Sequence, residues 1–216
     1  FTRKRATVVG LNATGLAAGG LILVPFGMYL LQTTGWRITW AVFGFMVLLL
    51  ALPLAWVILK DNPEDIDLSP DGDQYNQPGK PNPNLKGQII GPLDTNRWIV
   101  SFRSLPMWQM TGSYVVCGAT TGVLSVHFVP YALGQGISPD LAALIFGFMM
   151  FLNILGSLGA GWISDKYNRK NILGLVYLIR GLAYMLLLTL PGPLGLWIFA
   201  GVAGVSWIAT APLTTA

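Results

Sequence analysis

Gly161 to Lys170 reads GWISDKYNRK, and it sets Asp165, Lys166, Arg169 and Lys170 within one short turn. The runs on either side, Leu141 to Ile163 and Ile172 to Leu190, carry a single charge between them, Arg180. A charged turn between two apolar runs is the pattern of a loop joining two membrane-spanning helices, because a helix needs about 20 mostly apolar residues to cross a hydrocarbon core of about 30 Å.

The rest of the chain repeats that pattern. Charged residues make up 10% of the sequence and hydrophobic ones 53%, against roughly 25% charged in soluble domains. Six apolar runs are long enough to span: Ala6 to Leu31, Ile38 to Leu59, Met107 to Tyr131, Leu141 to Ile163, Ile172 to Leu190 and Leu194 to Leu213. Gly19, Gly20, Pro25 and Pro53 fall inside them. Membrane helices tolerate such residues, since neighbouring helices re-satisfy the freed backbone groups. The expected fold is an all-α membrane protein of six transmembrane helices.

Four connections are short: TTGWR, ALGQGISPD, DKYNRK and PGPLG. The fifth, Lys60 to Ser104, is rich in Pro, Asn, Asp and Gly and lacks aliphatic clusters, so it is expected to stay flexible. Its end, NRWIVSFRSLPMW, interleaves Trp98, Ile99 and Phe102 with Arg97 and Arg103, which reads as an amphipathic segment on the membrane surface.

Basic residues set the orientation, because cytoplasmic loops carry the excess of Lys and Arg. Arg3, Lys4 and Arg5 precede the first run; Lys60, Lys80, Lys86, Arg97 and Arg103 lie in or at the edge of the long connection; Lys166, Arg169 and Lys170 lie in the opening turn. The other side has Arg37. Both ends of the sequence, the long connection and the DKYNRK turn are therefore expected in the cytoplasm. The net charge of +4 follows from topology and does not point to nucleic acid.

The sequence starts at a Phe on a basic stretch and stops at APLTTA, which reads as a piece of a longer chain. The single cysteine, Cys117, falls in the third run, where a thiol is expected to pack as a small hydrophobe. An enzyme is not expected. One His, one Cys and almost no intramembrane acids offer neither a nucleophile–base pair nor a metal cluster, and Asp71, Gly72 and Asp73 lack the spacing of a calcium loop. No glycine-rich phosphate loop is present, so neither ATP-driven transport nor a cofactor is expected.

Polar residues inside the spans carry the functional reading, since ionisable groups at membrane depth are costly and face the bundle interior. Arg180 lies about ten residues, roughly 15 Å, into its run. It is expected to point inward with a carbonyl or polar side chain in reach, as a substrate contact or as a structural hydrogen bond. His127, near the outer end of the third run, suits either proton linkage and carboxylate contact or a plain interfacial position. Asn12 reads as a ligand contact or as glue between helices, Trp207 as cavity wall or packing. Gly15 with Gly19, and Gly156 and Ser157 with Ala160 and Gly161, have the small-xxx-small spacing of close helix contacts.

Gly161, Asp165, Lys166, Arg169, Lys170 and Leu173 match G-x-x-x-D-[RK]-x-G-[RK]-[RK]-x-x-L, which resembles the cytoplasmic inter-helix signature of major facilitator superfamily transporters. Asn168 stands where the pattern has Gly; Asn tolerates left-handed backbone better than most residues. FTRKRATVVGLNATGLAAGG, through Phe1, Arg3, Lys4, Arg5, Gly10, Gly15 and Gly19, is similar to the signature at the fourth-to-fifth helix junction of monocarboxylate porters, with departures at Thr7, Val8, Asn12 and Thr14.

The resemblance implies helices five to ten of a twelve-helix fold. Residues 1–60 would be the last two helices of the N-terminal bundle, 61–104 the cytoplasmic linker and 105–216 the first four helices of the C-terminal bundle. It implies a multi-pass protein of the plasma membrane that moves a small organic anion, monocarboxylate-like and proton-coupled, by rocking two bundles about a midplane site. The alternatives are a transporter of a non-carboxylate solute and a non-transporting sensor on the same fold. The implied partners are a small-molecule substrate, protons and the lipid bilayer.

Asn153 and Ser157 occupy positions that in some of these porters carry an Asp and an Arg. With neither charge present, a carboxylate substrate would take its countercharge from Arg180, His127 or helices outside this sequence. Gly161, Asp165, Lys166, Arg169 and Lys170 would form a conformational gate, with Asp165 against the amides at the start of the first span.

Overall fold

The computed structural model describes residues 4–58 and 102–215. Most of the long connection, including Trp98, Ile99 and Arg97, lies outside the described residues, as do Phe1 and Arg3.

The described elements are helical. They are α1 (Arg5–Thr34), α2 (Trp36–Met46), a π turn (Val47–Ala51), α3 (Leu52–Ile58), α4 (Leu105–Gly134), α5 (Pro139–Ser164), α6 (Arg169–Thr189), α7 (Gly192–Ser206) and α8 (Thr210–Thr215). Six spans long and apolar enough to cross a membrane run Ala6–Thr34, Trp36–Val57, Met107–Gly134, Pro139–Ser164, Arg169–Thr189 and Gly192–Thr214. They extend the apolar runs by up to a turn because polar residues such as Thr34 and Arg169 belong to the helix ends. Leu16, Trp40, Trp56 and Leu188 lie on the exterior.

Prolines shape two spans. Pro53 lacks an amide hydrogen and crowds the carbonyl of Leu49. The π turn lies just before it, with the Leu52 amide reaching back to the Val47 carbonyl. Pro212 acts similarly on the last span, which breaks between α7 and α8 across Trp207, Ile208 and Ala209. The uninterrupted run expected from Leu194 to Leu213 is thus two helices. Around the break the bonding is short-range, Trp207 N to Gly204 O and Ala211 N to Ile208 O.

The packing is built on α5. Its buried face includes Ala142, Ile145, Met149, Asn153, Ser157 and Ala160, and it lies between α1 on one side and α7 on the other. Phe128, Phe146, Phe199 and Trp207 stack within that core. The seams need glycine. A Cβ at Gly161 would come within 2.7 Å of the Ala6 carbonyl oxygen, and one at Gly10 within 2.7 Å of the Ser157 oxygen. Gly156 faces the Val205 backbone and Gly204 the Met149 carbonyl in the same manner.

Gly156, Ser157, Ala160 and Gly161 are all buried, as their spacing implies. Gly15 and Gly19 differ: a Cβ at either meets nothing within 4 Å. On α1 the close face is instead Ala6, Gly10, Ala17 and Gly20, the last against Met150, because α1 turns its i, i+4, i+7 stripe from Ala6 toward α5.

Candidate functional site

Two places gather polar groups that an apolar environment must satisfy internally. The first is the end of the α1–α5 seam. Nothing on α1 caps its own N-terminus: Lys4, at the N-cap, makes no side-chain cap hydrogen bond, and the first turn has no acid. Asp165, at the end of α5, supplies the cap from across the seam. The Ala6 amide donates to Oδ1 at 3.3 Å, the Thr7 amide to Oδ2 at 3.0 Å, and the Thr7 hydroxyl to Oδ2 at 2.6 Å. These amides are among the donors that a helix start leaves unpaired. Arg169 approaches the same carboxylate at 3.8 Å. Burial pushes the Asp165 carboxyl up, but the Thr7 hydroxyl, the Thr7 and Ala6 amides and Arg169 outweigh it and hold it below the usual carboxylate range.

The other turn residues have separate places. Gly161 forms the close crossing beneath Asp165. Lys166 turns onto the Trp162 ring, 3.7 Å from its centroid, and Lys170 is exposed. Asn168 does not adopt left-handed geometry: its φ is −64°, and its side chain caps α6 by accepting from the Lys170 amide at 3.1 Å. The asparagine thus serves as an N-cap through a side-chain hydrogen bond that glycine could not make.

The second place is the break in the last span. Arg180 is 4% exposed and donates through one terminal nitrogen to the carbonyls of Ser206 and Trp207, which the break releases from helix bonding. Its other terminal nitrogen faces Thr120 Oγ1 at 3.3 Å and Cys117 Sγ at 3.6 Å, and Nε is buried and unpartnered among the described residues. Asn153, fully buried, treats the opposite polarity: its Oδ1 accepts from the Ile208 amide at 3.1 Å and from the Ser157 hydroxyl at 3.3 Å. One side chain therefore holds the freed carbonyls and another the freed amide.

Cys117 is only half-buried and lies within 3.2 Å of the Thr210 hydroxyl as well as near Arg180. The expectation of a thiol packed among hydrophobes is corrected, because Arg180 draws the polar groups of α4 into one cluster. Tyr177 and Tyr184 donate their hydroxyls across to the Ser113 and Thr120 carbonyls at 2.8 and 2.7 Å. Between α4 and α6 they leave a cleft of about 460 Å³ lined also by Arg180. His127 and Asn12 are exposed on their helices and stand outside this cluster. Trp207 packs edge-on against Phe146. Sequence reasoning missed the break itself; Pro212 was its one visible signal.

The family model for the Major Facilitator Superfamily matches residues 1–216. The chain belongs to the Major Facilitator Superfamily. Among curated proteins it is similar to monocarboxylate transporter 12 of Rattus norvegicus, 27% identical over 206 residues that are 87% of this chain and 41% of that one. Monocarboxylate transporter 11 of Mus musculus is 31% identical over 77% of this chain and 33% of its own. The uncharacterised MFS-type transporter YcxA of Bacillus subtilis is 24% identical over 100% and 50%. The chain thus spans from a third to a half of the length of these relatives. No solved structure matches it. It is an all-α, multi-pass membrane protein whose relatives are transporters, a family of carriers and not of enzymes.

Proposed function

We propose that this chain is the central part of a secondary active transporter of a small, monocarboxylate-like organic anion, coupled to protons and working by alternating access. Residues 1–60 belong to one bundle, 105–216 to the other, and 61–104 link them on the cytoplasmic side of the plasma membrane. The observation that carries the reading is the trans cap at Asp165. A carboxylate on one bundle that satisfies the first amides of a helix on the other is a contact that can form only when that end of the seam is closed. It is a two-state element of the kind alternating access requires. The names of the relatives support a carboxylate substrate. Arg180, the one cation deep within a span among the described residues, is the countercharge within it. Asn153 positions the backbone beside Arg180, and His127, the single histidine, is the candidate for proton linkage.

Uptake of a radiolabelled monocarboxylate into proteoliposomes carrying the full-length protein, with and without an inward proton gradient, tests this. Accumulation driven by the gradient is expected, with a flattened pH dependence in His127→Gln. Uptake of neutral solutes alone would favour the non-carboxylate transporter, and ligand binding without flux a sensor.

A further inference from the structure

We infer that the cleft between α4 and α6 is a binding site for a monoanion with an apolar body, anchored on Arg180. The inference deepens the transport reading and rests on it for the use made of the ligand.

Three features of the cleft define what it takes. The first is charge. The acids among the described residues are Asp140 and Asp165, and neither lines the cleft or pairs with Arg180. The guanidinium's bonds are to two carbonyls, a hydroxyl and a sulfur. They satisfy donors without neutralising charge, and Nε keeps an unused donor. An anion is the missing complement of a buried cation at membrane depth.

The second is the walls. Tyr177 and Tyr184 have committed their hydroxyls to backbone carbonyls, so they offer the cleft ring surface. Val116, with Gly112 and Gly181, continues an apolar lining. A volume of about 460 Å³ lies within the ordinary range for small-ligand sites, about 300–1,000 Å³.

The third is what the lining lacks. With one cation and no acid, it matches one negative charge. A second carboxylate would find no partner, and the ammonium of a zwitterion would be buried unpaired. The site is therefore selective for monoanions over dianions and zwitterions. The Thr120 hydroxyl is committed as well, accepting from Arg180 and donating to the Val116 carbonyl at 2.8 Å, so the guanidinium is the cleft's anchor.

Such an acid can reach the cleft from water, as a short aryl alkanoate, or from the bilayer, as a fatty acid. Equilibrium binding to the full-length protein in nanodiscs, with 4-phenylbutyrate as one probe and oleate as the other, separates the two sources. At least one acid is expected to bind, with 4-phenylbutanol and 4-phenylbutylamine about tenfold weaker or more, the loss expected when a charge-assisted hydrogen bond goes. Arg180→Gln should weaken the acid similarly. Because that change also loosens the clamp on Ser206 and Trp207, Gly181→Leu is the second variant. A Cβ there meets nothing within 4 Å, so the side chain grows into the cleft with the fold intact, and affinity should again fall about tenfold or more. Equal binding of either acid to wild type and Gly181→Leu, or binding of neither acid, would overturn the site. Acid binding without flux would instead sink transport and leave the site standing.

Discussion

The two ends of the α1–α5 seam are closed by different means. At one end Asp165 is largely shielded, accepts three hydrogen bonds from Ala6 and Thr7, and has Arg169 beside it. At the other, Asp140 near the start of α5 accepts a single exposed hydrogen bond of 2.9 Å from Gln32 near the end of α1. Antiparallel helices are thus held at both ends by a carboxylate on α5, but only one carboxylate also completes a helix terminus. A carboxylate at a helix N-terminus gains about 0.3–1 kcal/mol, and up to about 2 when partly buried, while exposed polar pairs are worth about 0–1 kcal/mol. In our reading of the orientation the stronger clasp is cytoplasmic, so the resting balance favours closure there and opening on the outer side.

The largest effect on this asymmetry is expected at Gly161. A Cβ there runs into the Ala6 carbonyl and the Thr7 Cα, which are backbone and cannot rotate away. Gly161→Val should prise α1 from α5 beneath Asp165, cost about 1–3 kcal/mol, and lower the thermal midpoint of the purified protein. Gly159, on the same helix, has open space around it, and Gly159→Val should leave the midpoint unchanged. If the two variants melt alike, the close crossing is not what holds that end.

Next comes Asp165→Asn. It keeps the shape and removes the charge that the amides, the Thr7 hydroxyl and Arg169 favour. A loss of about 1–2 kcal/mol moves the ratio of states by about 5–30-fold, toward opening at the Asp165 end. Spin-label distances across that gap in the full-length protein read the shift, and unchanged distributions would reduce the turn to a topology marker. The same contact has a defined pH response. Because the carboxyl is held below its ordinary value, the clasp's stabilisation is complete above the usual carboxylate pKa of about 3.9 and lost only as pH falls through the depressed value. With the proposed proton site removed in His127→Gln, the distances should therefore stay constant between pH 8 and pH 5, and a transition in that window would place the titration elsewhere.

The contrast also separates what the sequence shows from what only the fold can. Spans declare themselves through length and hydropathy, and the DKYNRK turn through charge, so the helices and the charged turn between two of them were legible. The trans cap required the resemblance, since no local feature ties Asp165 to Ala6, 159 positions away. The broken span was hidden because hydropathy averages over Trp207, Ile208 and Ala209; only Pro212 hinted at it, and prolines in Pro25 and Pro130 leave their helices continuous. For the same reason the partners of Arg180 and Asn153 were not legible, as they are backbone atoms exposed by a break that composition does not encode. Glycine spacing misled at Gly15 and Gly19, where the pattern is right but the helix faces another way.

The smallest effect is expected at the weaker clasp, and its sign is what matters. Gln32→Ala deletes the hydrogen bond to Asp140 without removing a helix cap or a close backbone crossing. A hydrogen bond to a charged group can be worth about 1.5–3 kcal/mol, but exposure to solvent lets water replace it, and about 0–1 kcal/mol is expected here. That is at most about a fivefold change in the ratio of states, and it should run opposite to Asp165→Asn, toward opening at the Asp140 end. Labels across both gaps of the full-length protein, measured in the single variants and in the pair, decide the point. If the ends act independently on one two-state equilibrium, the double variant should return partway toward wild type, because the two losses oppose each other. A shift in the same direction in both single variants would mean that the clasps hold α1 to α5 as static packing, and the asymmetry between them would carry no information about the transport cycle.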